Sequence, residues 1–105
     1  MRCIVWEFIA KAGAEREFEK QYGPDGVWAQ FFKPAQGYLG TELLLDASQR
    51  SRYFTVDRWV SQEAYDAFRA SHREEYESID RRCEALTVSE TAVGTFVSTG
   101  SRADE

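Results

Sequence analysis

The spacing of apolar residues changes several times along the chain, and each change marks an element. Residues 3–10, CIVWEFIA, are β-branched and aromatic with one charge and read as a strand. KAG at 11–13 is a turn. In AEREFEKQY, 14–22, Phe18 and Tyr22 stand four apart among charges, the spacing of a short amphipathic helix. GPDG at 23–26 breaks it. VWAQFFK, 27–33, gathers Val27, Trp28, Phe31 and Phe32 on one side of a second short helix, and PAQG at 34–37 ends that. YLGTELLLD, 38–46, and RYFTVDRWV, 52–60, are strands joined by the polar turn ASQRS, so 38–60 reads as a β-hairpin. Ser61 is a good N-cap, with Glu63 in the first turn where the helix dipole favours an acid. From Ser61 to about Ala85, the residues Tyr65, Phe68, His72, Tyr76, Ile79, Cys83 and Leu86 recur at spacings of 3, 4, 4, 3, 4 and 3. That is one helical face, with Asp66, Arg69, Arg73, Glu74, Glu77, Asp80 and Arg81 on the other sides. A helix of that length runs about 37 Å, long for a small domain, which points to a kink. LTVSETAVGTFVS, 86–98, is a last strand, and 99–105 form a polar tail.

The order β, α, β, β, α, β predicts one α+β domain over 3–98 with the ferredoxin-like, split βαβ plan: four antiparallel strands carrying the helices on one face. The strands are not apolar on one side only, as a sheet with one wet face would be. Leu43, Leu44 and Leu45 are consecutive. Phe54 and Val56 take one side of their strand while Tyr53, Thr55 and Trp59 take the other. Ile4, Trp6 and Phe8 point one way, Val5 and Ile9 the other. With the helices on one side, the other needs a cover, and the economical cover is a second copy packed sheet to sheet as a symmetric homodimer. Glu7 and Arg58 fall on that dimer-facing parity and are expected to pair across neighbouring strands or between chains.

Composition narrows the function classes. The chain has 105 residues, 43% hydrophobic and 30% charged, ordinary for a globular domain. Net charge is −5, and Arg81-Arg82, flanked by Asp80 and Glu84, is the only adjacent basic pair. Nucleic-acid binding and docking on an anionic membrane are not expected, and no apolar run is long enough to span a bilayer. Cys3 and Cys83 form no CxxC and no Cys/His spacing, which fits free thiols in a reducing cytoplasm. No Ser/His/Asp or Cys/His constellation supports a hydrolase, and no metal site is expected: His72 and Glu75, three apart, offer two ligands only. Three Trp, five Tyr and seven Phe are many for this length, and they suggest a large buried interface or a pocket for a flat ligand beside ordinary core filling.

Three stretches together resemble one family. They are VWEFIAKAG, the block YGPDGVWAQFFKPAQGYLGTELLLD, and DRWVSQEAYDAFRASHREEY, in which a strand-ending Trp precedes a polar N-cap and an aromatic-bearing helix. The chain, from about residue 3 to 97, resembles the antibiotic-biosynthesis monooxygenase-like proteins of the dimeric α+β barrel superfamily. The resemblance implies a homodimer and a pocket between helices and sheet, to which Trp6, Trp28, Phe31, Phe32, Tyr38, Tyr65, Phe68 and Tyr76 could contribute as ligand-binding residues. It implies, for the oxygenase branch, no cofactor: a polar group binds or deprotonates a phenol-like substrate and the anion reacts with dioxygen. Trp59 would then be a cavity wall and hydrogen-bond donor. His72 would be the general base, being the one side chain with an unperturbed pKa suited to that work near neutral pH. Asp57 shares the parity of Trp59 and could orient a pocket water or His72.

Alternatives stay open. His72 also reads, and more readily, as a residue at the core's rim bonded to a carbonyl or a nearby Glu. Trp28, Phe31, Phe32 and Trp59 likewise read more readily as core. The protein could be a monooxygenase for a small aromatic or polyketide-like compound, a non-catalytic binder of such a molecule, or an isomerase or cyclase using His72 as a proton shuttle. The haem-degrading branch needs an Asn on the first strand and a His ligand on the second helix. Here the first strand offers Trp6 and Glu7, and His72 lies early in the helix; both count against haem.

Overall fold

The structure, a computed structural model, describes residues 1–100; the expected tail lies, from residue 101 on, outside the described residues. The elements are β1 (Arg2–Ala10), α1 (Glu15–Tyr22), α2 (Val27–Phe32), β2 (Tyr38–Leu45), β3 (Arg52–Trp59), α3 (Gln62–Ser71), α4 (Arg73–Cys83), a 3₁₀ turn (Glu84–Leu86) and β4 (Thr87–Val97). The sheet order is β2-β3-β1-β4, and all three neighbouring pairs are antiparallel. This is the ferredoxin-like α+β arrangement that the order of elements predicts.

Local chemistry sets the boundaries. The Ser61 hydroxyl accepts from the Ala64 amide at 3.1 Å and starts α3. Gly26 precedes α2 with its α-carbon so close to α1 that a β-carbon would lie 2.3 Å from the Gln21 carbonyl oxygen. Only glycine fits there, and the close approach packs α2 against α1. Gly37 enters β2 at φ 99°, a left-handed conformation that glycine tolerates.

The long helix is interrupted at one residue. His72 leaves helical geometry (φ −127°, ψ 34°), yet its amide still bonds the Phe68 carbonyl, and its own carbonyl still accepts from Tyr76. The apolar period therefore runs on through the break, and Tyr65 on α3 and Tyr76 on α4 face the same interior.

That interior holds two clusters. Phe8, Ala10, Phe18, Tyr22, Tyr53, Ile79 and Cys83 form one; Ile4, Phe32, Trp59, Tyr65 and Phe68 form the other. Trp6, Trp28 and Phe31 pack against both. The opposite sheet face carries no helix. Leu44 (43% exposed) sits opposite Phe54, and Phe96 (49% exposed) sits opposite Cys3.

Two sequence expectations need correction. Within the chain Glu7 and Arg58 do not pair: the register puts Glu7 opposite Phe54 and Arg58 opposite Cys3. Glu7 instead binds Arg52 at 2.6 Å, and Arg58 binds Glu42 at 3.0 Å. Arg69 and Asp80 do not simply face outward, as described below. Cys3 and Cys83 are both free thiols.

Candidate functional site

The two clusters do not close on each other. Between them lies a cavity of about 230 Å³. Phe8 and Tyr22 line it from the first cluster and Phe32 and Tyr65 from the second, with Trp6, Trp28 and Tyr76 completing the aromatic wall. Its polar lining is Thr41, Thr55, Asp57, Arg69, Asp80 and Glu90.

The sheet supplies the deep polar end. Thr41 on the edge strand β2 is directly opposite Asp57 on β3, and both project to the helix side. Thr41 Oγ1 donates to Asp57 Oδ1 at 2.6 Å, and the Tyr38 hydroxyl lies 2.5 Å from Thr41 Oγ1. Threonine has one hydroxyl proton, already given to Asp57, so Tyr38 must donate. The chain runs Tyr38 to Thr41 to Asp57 and ends on a carboxylate that lines the cavity. Burial pushes the Asp57 carboxyl up to about 6, against the opposing pull of the Thr41 bond. The side chain reaches solvent only partly, and its aromatic surroundings hydrate a charge poorly.

The hydroxyls of Tyr22, Tyr65 and Tyr76 are held protonated well above the ordinary tyrosine range, in each case chiefly by burial. All three side chains line the cavity as neutral groups. Arg69 is exposed, and its guanidinium carbon sits 3.9 Å from the Tyr76 ring centre and 5.8 Å from that of Tyr65. Arg69 and Tyr76 also line a shallow surface groove with Asp66 and Arg73, which places both at the cavity's mouth. Glu90 on β4 is raised by burial first, then by the like charges of Asp80 and Glu84.

Of the residues singled out in the sequence, Trp6, Trp28, Phe32, Asp57, Tyr65 and Tyr76 line this cavity. Phe31, Tyr38, Trp59, Phe68 and His72 do not. Trp59 is 0% exposed, closed off by the rings of Phe32, Tyr38, Tyr65 and Phe68 within 6.0 Å, and its Nε1 donates to no partner. Trp28 Nε1 points toward the Tyr22 hydroxyl and the Cys83 thiol without hydrogen-bond geometry to either. His72 stacks on Phe68, 4.1 Å between ring centres, and its Nδ1 is 3.0 Å from the Phe68 carbonyl oxygen. A carbonyl only accepts, so Nδ1 carries the proton. Nε2 is then the ring's basic nitrogen, and the ring lines a separate open groove with Ala64, Ala67 and Val60. Tyr38 acts on the cavity only through Thr41. Sequence reading missed Phe8, Tyr22, Thr41, Thr55, Arg69, Asp80 and Glu90. The usable signal was Thr55 and Asp57, polar residues between Tyr53 and Trp59 on the core side of a strand.

The profile of the family described as "Antibiotic biosynthesis monooxygenase" matches residues 1–78. The chain belongs to the antibiotic biosynthesis monooxygenase family. Solved structures agree in fold. SnoaB, a cofactor-independent oxygenase from Streptomyces nogalater, is 20% identical with TM-score 0.65, over 92% of this chain and 91% of that one. A candidate antibiotic biosynthesis monooxygenase from Deinococcus radiodurans is 15% identical with TM-score 0.73, over 93% and 92%. A variant of MhuD with two manganese protoporphyrin IX bound per active site is 24% identical with TM-score 0.72, over 94% and 95%. At these identities the likeness is one of fold. A comparison with curated proteins finds no match.

The cavity does not suit haem. No His, Cys or Met lines it, and its three tyrosine hydroxyls are held protonated, which disfavours the tyrosinate a metal would take. Among the described residues no group of three His, Cys, Asp or Glu is placed to hold a metal ion, and no helix is long and apolar enough to cross a membrane.

Proposed function

We propose that this chain is a cofactor-independent monooxygenase in which Asp57 ionises a small aromatic substrate held in the aromatic cavity. The observation that carries this reading is the Tyr38–Thr41–Asp57 chain ending on a carboxylate against stacked rings. A carboxyl raised to about 6 is mostly ionised at pH 7 and still basic enough to accept a proton from an acidic C–H or O–H. His72 has no such access, and its ring belongs to the helix break. Trp59 supports the wall from behind.

The chemistry closes with the chain's own residues. Asp57 takes a proton from an acidic substrate CH₂, the carbanion gives its electrons to dioxygen, and a C–O bond forms. The peroxide takes the proton back from Asp57. Asp57 then removes the second C–H proton as the O–O bond breaks, leaving a carbonyl. The departing hydroxide takes that proton, so CH₂ plus O₂ gives C=O plus water. The aromatic wall excludes bulk water from the anion. An apolar cavity of about 150 Å³ holds benzene, so about 230 Å³ encloses one or two fused rings, with a third ring or larger substituents at the mouth.

The uncovered sheet face fits a homodimer. Leu44 and Phe96 are exposed there beside half-buried Phe54 and Val56, and family members are typically dimeric.

The test is oxygen uptake without added cofactor over anthrones, naphthols and hydroquinones. Wild type should saturate with substrate, and Asp57→Asn should lose at least about 100-fold in rate. Uptake that survives Asp57→Asn refutes the base. Ligand-induced tryptophan quenching without uptake favours a binder, and solvent-deuterium exchange without uptake an isomerase.

A further inference from the structure

The cavity has one positively charged lining residue, Arg69, and three acidic ones, Asp57, Asp80 and Glu90. Arg69 stacks over Tyr76 and Tyr65, and the Tyr65 hydroxyl lies beside both Arg69 and the Tyr76 hydroxyl. Stacking occupies the face of the guanidinium; one N–H is directed at the Tyr65 hydroxyl, and the fork's five donors leave others for an acceptor. The ion pairs among the described residues use Arg52 and Arg58 and leave Arg69 without a carboxylate. Arg69 is therefore a cation held in place by rings at the rim of an aromatic slot, beside two hydroxyl donors. We propose that Arg69, with the hydroxyls of Tyr65 and Tyr76, is a subsite for a substrate carboxylate, so that the natural ligand is an aromatic acid of one or two rings. This rests on reading the cavity as the substrate site.

Charge orients such a ligand. A carboxylate is repelled by Asp57, Asp80 and Glu90 and finds its attraction at Arg69. The planar fork of arginine matches a carboxylate with two parallel bonds. The ring system then fills the slot between Trp6 and Trp28, and the acidic C–H or O–H is left for Asp57, the other residue near the Tyr65 hydroxyl. Arg69 would fix which end of the molecule meets the base.

The experiment is anaerobic titration calorimetry of the whole protein with 3-hydroxy-2-naphthoic acid and with its methyl ester, in wild type, Arg69→Gln and Arg69→Lys. A charge-assisted bond contributes about 1.5–3 kcal/mol, so wild type should bind the acid at least about tenfold more tightly than the ester. Arg69→Gln should remove that preference, and Arg69→Lys should keep part of it. Acid and ester binding alike in wild type, binding of neither, or a preference that survives Arg69→Gln each overturns the subsite. Binding is read without turnover, so the two proposals fail separately. A carboxylate preference with no oxygen uptake refutes the oxygenase and leaves the subsite. Uptake with neutral naphthols and no carboxylate preference refutes the subsite alone.

Discussion

Replacing Asp57 by Asn removes one ionisable proton and little else. The amide oxygen can still accept from Thr41, and the volume is nearly unchanged. The consequence for stability follows from the carboxyl's position. Its ordinary value is 3.8 and burial raises it to about 6. At 1.36 kcal/mol per pH unit, ionising it inside the cavity costs about 3 kcal/mol relative to the unfolded chain. The side chain is partly open to the cavity, so solvent trims this, and about 1–3 kcal/mol is expected. The sign follows from which state holds the proton. Between pH 3.8 and 6 the folded protein keeps a proton that the unfolded chain has lost, so wild-type stability from this group falls as pH rises through that window. Below it both states are protonated and the variant gains nothing. Above it the cost is complete and the variant gains all of it. Thermal melts of the two proteins should coincide near pH 3.5 and separate by roughly 5–15 °C at pH 8, the variant being the more stable. The same variant should lose oxygen uptake. Melts that coincide at pH 8 would show that the carboxyl is not desolvated. A stabilised variant with full activity would show that it is desolvated but is not the base.

The wild-type rate should fall below pH about 6 as Asp57 takes its proton, and Thr41→Val, which removes the bond that favours the ionised form, should move that limb to higher pH; a pH–rate profile of both proteins checks this. His72→Ala should leave oxygen uptake within about threefold, because the ring does not line the cavity, and cost about 1 kcal/mol in urea melts through the lost bond to the Phe68 carbonyl and the stacking on its ring; a collapse in rate without loss of stability would restore His72 as the base. Leu44→Glu on the helix-free face should convert a dimer to a monomer by light scattering, since a charge there cannot be paired against a packed copy; an unchanged mass would mean that the face is covered otherwise.

The architecture was legible because strand and helix periods are local. Phe18 and Tyr22 four apart, Tyr53, Thr55, Asp57 and Trp59 two apart, and Ser61 ahead of a helix each follow from backbone geometry, and the structure has all three. The break at His72 was expected only as a kink somewhere along the helix, because one residue leaves the helix while the hydrogen bonds on both sides survive, so no phase change shows in the sequence. The cavity was half legible. Period places Trp59 and Asp57 on the same side of β3, but whether a ring faces a void or other rings is decided by packing across elements. Trp59 is enclosed by Phe32, Tyr38, Tyr65 and Phe68, while Asp57 two residues earlier opens on space. Arg69 was read as outward because its helical angle is outward. Its long side chain folds back over Tyr76, a reach that a helical wheel does not contain.

The choice between His72 and Asp57 turns on the same distinction. Ordinary solution pKa favours the histidine, and a lone histidine on an aromatic helix face invites that reading. In the folded chain the histidine spends its protonated nitrogen on the backbone, while burial carries the aspartate into the range where a base is useful. The hydrogen bond that holds Asp57 comes from Thr41 on the edge strand β2. An edge strand has only one neighbour to fix it, so the Tyr38–Thr41–Asp57 chain also ties β2 to β3 through side chains. A carboxylate that costs stability when ionised is thereby held by a contact that restores some of it.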